Sequence, residues 1–364
     1  MFNKICHLTT VHSIDDVRIF LKECTSLATN NFDVTLIACG DTAFEDTKNG
    51  IKRISLYIPV KNRFQRFIKR TKAVYEKALL IDASIYHLHD PELLPIGLKL
   101  KRKGKKVIYD AHEDVPRQIL RKEYIPLFFR KIVSVICEKI ENYCVSRLDA
   151  VVTVTDHIAE RFISISKHVV VCSNYALSNE FETEITWDTI RTNICYVGGL
   201  TKIRGISEVV EAAKKVNVPI ELAGSFESKR LEEEIINEEV IYHGSINRDK
   251  VKIIFSRCFA GIINYLPAPN HNNACPNKLF EYMAAGLPVI ASDFEAWKAI
   301  VEENKLGICV DPTNTEKISD AILYLKNNPK IAQQMGLNGR RAFKAKYNWQ
   351  IEEKKLFVLY NELN

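Results

Sequence analysis

The sequence holds no apolar run of about 18 residues, so no membrane-spanning helix is expected. It has no C-x-x-C pair, no His-x3-His, no His-Glu-x-x-His and no G-x-S-x-G elbow. Those absences argue against zinc fingers, zincin-type metal sites and Ser-His-Asp hydrolases, and no metal is expected. No RNP motif or aromatic-basic stripe points to nucleic acid. The first residues, MFNKICHLTT, run directly into a strand without a signal peptide's long apolar core. Ten cysteines are scattered mostly through apolar runs such as Val135-Ile136-Cys137 and Ile308-Cys309-Val310. Buried thiols in a reducing cytosol are the expectation, rather than disulfides.

The 364 residues are too many for one core and predict two domains. The net charge of +6 is uneven: residues 1–170 carry 28 Lys/Arg against 20 Asp/Glu. Much of that excess lies between Lys61 and Lys106. A helix expected over about 64–80 mixes Phe64, Phe67, Ile68 and Tyr75 with Arg66, Lys69, Arg70 and Lys72. That composition suits either a solvated outer face or an interfacial helix on an anionic membrane leaflet. At about 1 kcal/mol for each cation, four would contribute about 4 kcal/mol to membrane binding.

Strands and helices alternate along the chain, as in a parallel, doubly wound sheet. In the first half, strands are expected at 3–8, 33–38, 54–58, 84–88, in KKVIYDAHED (105–114) and at 150–155. A helix after residue 11 puts Ile19, Phe20, Cys24 and Leu27 inward, and residues 119–147 read as mostly helical. Residues 1–180 form the first domain, and the polar stretch 181–192 reads as a linker. Alternation restarts over 193–347, with strands at 193–199, 219–224, 240–245, 259–266, 288–292 and 307–311. A last helix over 348–364 presents Ile351, Leu356 and Leu359.

The stretch with the most chemistry is CPNKLFEYMAAGLPVIASD, residues 275–293. Pro276 suits a helix start and Gly286 a helix end, and Pro288 blocks continuation into the strand that follows. Lys278 and Glu281, three residues apart, share a helix face. A cation beside helix N–H groups suits phosphate, and a carboxylate suits vicinal hydroxyls such as a ribose. A solvated surface pair is the plainer reading of the same spacing.

This stretch resembles the donor-binding segment of retaining GT-B glycosyltransferases, glycosyltransferase family 4. That family carries two glutamates with seven residues between them before an Ala/Gly-Leu-Pro-Val-Ile run. Glu281 matches the second, which the resemblance makes the ribose ligand; Asn273 stands where the first would be. The resemblance implies an α/β GT-B fold: two Rossmann-like domains facing a cleft, with the C-terminal helix crossing back to the first. It implies a nucleotide diphosphate sugar as donor, a UDP-sugar first among them, with no cofactor. The acceptor would be a saccharide in surface-polysaccharide synthesis, and a lipid-linked one would be met at the inner face of the cell membrane.

In YVGGLTKIRGISEVVEA (196–212), the Gly198-Gly199 turn lets backbone N–H groups approach a phosphate. The family has Arg after the first glycine and Lys before a later one; here those positions are Gly199 and Arg204. Arg204 and Lys278 are therefore expected on the diphosphate. Asn277, Ser225 and Ile246 are the further donor-side candidates, with Ile246 bordering the base. On the acceptor side, His112 in YDAHEDVP matches the family's loop histidine. His12 and Asp15 in VHSIDDVR and Asp90 in HLHDPELLP follow other strands. Asp15 and Asp90 also suit plain helix capping. Two other functions share the fold: a sugar-nucleotide epimerase, and a donor-binding partner subunit without turnover.

Overall fold

The computed structural model describes residues 4–120, 122, 125–178, 181, 187, 190–268 and 276–363. Two units emerge, 1–174 with 350–364 and 175–349.

The first unit is built on an eight-stranded sheet in the order β3-β4-β2-β1-β5-β6-β7-β8. Its strands are β1 (Lys4–Leu8), β2 (Asp33–Gly40), β3 (Phe44–Lys48), β4 (Ile51–Tyr57), β5 (Ile85–Leu88), β6 (Lys106–Ala111), β7 (Ala150–Thr153) and β8 (Val169–Val171). All neighbours are parallel except β3, which pairs antiparallel with β4 at the edge. Strands β3 and β8 go beyond the sequence reading. FEDTK in β3 is mostly exposed and polar, so no apolar run marks it. Central strands such as β5 and β7 are buried along their whole length, as expected of a sheet covered on both faces.

The second unit holds six parallel strands in the order β11-β10-β9-β12-β13-β14. These are β9 (Asn193–Val197), β10 (Ile220–Ala223), β11 (Val240–Tyr242), β12 (Cys258–Ile263), β13 (Val289–Ser292) and β14 (Gly307–Val310). The stretch read as a linker is partly core. Phe181 is buried with its ring 5.4 Å from Phe255, and Arg191 donates to Phe255 O and Cys258 O at 3.2 and 2.7 Å. Two aromatic residues, Phe181 and Trp187, thus tie a polar segment to the second unit, whose first residue is Tyr175.

The helix Trp349–Leu363 returns the chain to the first unit, where Leu356, Leu359 and Tyr360 are buried. Glu352 accepts from Ser173 N at 2.7 Å, and Glu353 bonds Ser26. Ile351 is only half-buried. Nine cysteines among the described residues are free, and no helix among them is long and apolar enough to cross a membrane.

Candidate active site

In the second unit, β9 ends at Tyr196-Val197 and the chain turns through Gly198 and Gly199 before the helix Ile206–Lys215. Gly198 has φ +142°, where a side chain is strained, and a Cβ there would collide with Cε and Nζ of Lys278. The lysine therefore lies directly over the glycine turn. Its ammonium is 5.4 Å from the centroid of the Tyr196 ring, and it has no carboxylate partner among the described residues. Arg204 approaches the same turn from the next loop. It donates from Nη1 to Gly199 O at 3.2 Å, and its guanidinium stands 5.5 Å from the Tyr265 ring centroid. A Cβ on Gly199 would meet Arg204 Nη1 at 2.7 Å. Two cations held on aromatic faces and flanking a side-chain-free turn make a site for a polyanion.

Lys278 sits in the first turn of the helix Asn277–Ala285, with Pro276 just before it and Gly286 closing it at φ +69°. Among the described residues no side chain caps the helix N-terminus, and Asn277 is exposed there. From Leu279 to Ala285 every residue is buried, Glu281 included. Its carboxylate accepts from Arg248 Nη1 at 2.9 Å, an ion pair the sequence reading missed. Arg248 opens a helix 33 residues upstream, so no short spacing links the two. The pair orients Glu281 and leaves further lone pairs on its oxygens for hydroxyls. Nearby on the chain, Ser225 Oγ and Ser245 Oγ are 2.9 Å apart and exposed, and Ile246 packs partly against the core. Asn273 lies outside the described residues.

The first unit holds a different assembly. Residues from β1, β5, the loops after β5 and β6, and the last helix form a string that is buried except at His112. His112 Nε2 is 3.1 Å from His89 Nδ1, and His89 Nε2 is 2.8 Å from His7 Nδ1. Tyr360 Oη then lies 3.3 Å from His7 Nε2 and 2.7 Å from His87 Nδ1. Beside this string run Glu23, Asp110 and Arg18, all buried. The wide turns of the helix Val17–Cys24 bring Arg18, Lys22 and Glu23 inward together with Ile19 and Phe20. Arg18 donates Nε and Nη2 to Asp110 at 3.1 and 3.2 Å. Its Nε is also 3.0 Å from Glu23 Oε1, yet neither Glu23 oxygen receives an aligned hydrogen bond.

The two carboxyls are therefore unequal. Burial, and then the Asp110 charge, push Glu23 well up, so it holds a proton. Burial works against ionising Asp110 too, but Arg18 and then His112 hold it well below the usual range. Burial drives His7 and His87 far down and His112 down to about 3, so all three imidazoles are neutral near pH 7. His12 goes the other way, raised by Asp16 at 3.6 Å against its partial burial.

Donor atoms of His7, Glu23, His87 and His89 lie within 4.8 Å of one another, as do those of His89, Asp110 and His112. The types would suit a divalent cation, and no short spacing could have shown the grouping, since the groups come from separate strands, loops and a helix. Here Arg18 already supplies the positive charge, and the imidazoles bond one another.

Of the acceptor-side candidates, Asp90 is buried and accepts from Thr9 Oγ1 at 2.9 Å and Thr10 N at 2.6 Å, with His12 at 3.5 Å. It caps no helix through its side chain. The His12 and His112 rings are 5.3 Å apart. Asp15 stands away from this group: it is exposed and paired with Lys48 and Arg53 at 3.1 and 2.6 Å. The cap of the first helix is Asp16, which accepts from Arg18 N and Ile19 N.

Comparison with known proteins decides the family. Residues 17–175 match the family described as Glycosyltransferase Family 4, and residues 179–342 match Glycosyl transferases group 1. The chain belongs to the family 4 glycosyltransferases, with the GT-B fold. It is similar to the capsular polysaccharide biosynthesis glycosyltransferase CapM of Staphylococcus aureus, 22% identical over 98% of this chain and 97% of that protein. The sucrose-phosphate synthase of Thermosynechococcus elongatus superposes with a TM-score of 0.79 at 17% identity, covering 99% of each chain. Anabaena HepE, solved with UDP and glucose, superposes with a TM-score of 0.73 at 13% identity over 99% of each chain. In this glycosyltransferase the turn at Gly198, Arg204, Lys278 and Glu281 come together in one unit. The histidine string, Glu23, Arg18 and Tyr360 form a separate group in the other.

Proposed function

We propose that this glycosyltransferase moves a hexosyl group from a UDP-sugar to a saccharide acceptor, lipid-linked, with retention at the anomeric carbon. Surface-polysaccharide synthesis at the inner face of the cell membrane is the setting this reading favours. The observation that carries it is the pair of cations, Arg204 and Lys278, set over the Gly198-Gly199 turn. Their placement suits a diphosphate, and Glu281, steadied by Arg248, suits the ribose of a nucleotide. UDP in HepE and the polysaccharide role in CapM's name support the donor and pathway class.

The chemistry is positioning and charge stabilisation. The acceptor hydroxyl oxygen bonds to the anomeric carbon on the face that the diphosphate leaves. The electron pair of the breaking C–O bond passes to the terminal phosphate, which also takes the acceptor's proton. Arg204 and Lys278 neutralise the charge that builds on the diphosphate. In the first unit, neutral His112 with His12 and Asp90 serves the acceptor side, while Asp15 is occupied by its own ion pairs. The matching families and relatives are transferases, which favours transfer over epimerisation or donor binding without turnover.

The test is release of labelled UDP from a panel of UDP-sugars with and without a lipid-linked saccharide, and the product's anomeric configuration by NMR. Acceptor-dependent release and a retained anomer are expected. Epimerised donor without acceptor, or an inverted product, would sink the reading.

A further inference from the structure

The 19-residue helix Leu127–Val145, about 28 Å long, is turned inside out. Its buried residues include Ser134 and Glu141, while its outer ridge is apolar. Phe128, Ile132, Ile136 and Ile140 follow one another at four-residue spacing and are 80%, 46%, 52% and 53% exposed. Phe129 and Tyr143 flank the ridge and are exposed as well. Residues four apart lie on one face, so this is one continuous stripe along the helix. Scattered exposed apolar residues need no explanation; a contiguous ridge does.

The charges on the same helix are sorted. Both of its acids turn inward: Glu138 accepts from Arg117 at 2.5 Å, and Glu141 bonds Arg161 and accepts from Tyr109 Oη at 3.0 Å. Lys131 and Lys139 stay exposed, and Arg147 just beyond the helix stacks its guanidinium 3.7 Å from the Tyr143 ring centroid. Among the described residues the outer face thus carries apolar side chains and cations, and neither acid of the helix is exposed. A symmetric pairing of two copies through this face would set cations against cations with no acid to answer them. An anionic lipid surface answers both features, taking the apolar ridge into its acyl boundary and the ammonium groups among its phosphates.

The helix expected for that task is the poorer candidate. Among its cations Arg66 pairs with Glu92 at 3.0 Å, Arg70 donates to Thr10 O at 3.1 Å, and Lys72 faces Glu76 at 3.8 Å. We infer that the Leu127–Val145 helix is a membrane-docking face that seats this glycosyltransferase on anionic phospholipid. The inference deepens the lipid-linked acceptor reading by naming the surface that would meet the bilayer.

The test uses the full chain and vesicles of phosphatidylcholine, with and without phosphatidylglycerol, and neither donor nor acceptor. Its failure therefore leaves the transfer reading standing, and failed turnover leaves the docking reading standing. Flotation should show binding that strengthens with phosphatidylglycerol and weakens with salt. Ile132→Glu with Ile136→Glu should cut it by about tenfold or more on both vesicle types. Lys131→Glu with Lys139→Glu should remove chiefly the gain from phosphatidylglycerol. Thermal melts matching the parent would show that these surface changes leave the fold intact, and Phe64→Glu with Phe67→Glu serves as the comparison variant. Three results would overturn the inference: no vesicle binding at low salt, parent-level binding by the Ile132/Ile136 variant, or lipid-free self-association that this variant abolishes. The last would assign the ridge to a second copy of the chain.

Discussion

The second unit presents its cations over a bare glycine turn, while the first unit seals an arginine, two carboxyls and three imidazoles away from water. In the second, Lys278 has no acid beside it among the described residues, so its charge remains available to a ligand. In the first, Arg18 is spent on Asp110 and Glu23, and one proton on Glu23 completes the balance. An open cation invites an anion; a closed, compensated network fixes geometry and protonation. The two halves should accordingly answer different perturbations.

The largest expected effect is acid sensitivity confined to the first unit. His7, His87 and His112 have depressed pKa values in the fold, so the stability they give is full above about pH 6.5 and is lost as pH falls. Glu23 works in the opposite sense: its raised pKa gives stability that is present in acid and lost as pH rises. Three histidines outnumber one carboxyl, so stability falls below about pH 6.5, by about 1.4 kcal/mol per pH unit for each uncompensated proton. Hydrogen exchange, corrected for intrinsic rate, should quicken in β1 and β5 on going from about pH 7 to about pH 5. Strands β9 and β12 should change far less. Equal acceleration in both units would erase the contrast.

Next come the open cations. Arg204→Ala and Lys278→Ala should each lower turnover about 100-fold or more at saturating donor, if both act on the leaving diphosphate. Thermal stability should change much less, because neither is ion-paired with a carboxylate among the described residues. Wild-type turnover in the double variant would leave the glycine turn without its proposed ligand.

Glu281→Ala should weaken UDP binding by about 1.5–3 kcal/mol, the range for a hydrogen bond to a charged group. Arg248→Ala should cost less, since it removes only the group that orients the carboxylate. Calorimetric titration with UDP reads both. Equal losses would mean that Arg248 itself touches the nucleotide.

What the sequence revealed follows the same division. Gly198, Lys278 and Glu281 sit in contiguous stretches where turn, helix start and charge spacing are local, and the alternation of strands is local too. The histidine string joins residues up to 353 apart, and parallel strand pairing, not spacing, makes His7 and His87 neighbours. Ile19, Phe20 and Cys24 were legible as inward; Arg18 and Glu23 were not, because this wide-turn helix buries charged Arg18, Lys22 and Glu23 while exposing Leu21, which breaks the amphipathic pattern. Strand β3 escaped because an exposed edge needs no apolar residues.

The smallest effect compares one buried hydroxyl from each unit. Tyr360 Oη bridges His87 Nδ1 at 2.7 Å and His7 Nε2 at 3.3 Å in a fully buried site. Tyr360→Phe strands ring nitrogens of two imidazoles and should cost about 1–3 kcal/mol of stability, the penalty for an unmet buried polar group. In the second unit Tyr282 is equally buried, but its hydroxyl meets only backbone groups, Cys195 O at 3.4 Å and the Val197 backbone. Tyr282→Phe gives up contacts to backbone groups, the one to Cys195 O long, and strands no side-chain nitrogen, so it should cost about 0.5–1 kcal/mol. Urea unfolding of the two variants at neutral pH measures the difference. If Tyr282→Phe proves the costlier change, the histidine string is not the tightly satisfied network its geometry describes. If Tyr360→Phe is costlier and also shifts the acid transition, the hydroxyl and the neutral histidines belong to one unit of stability.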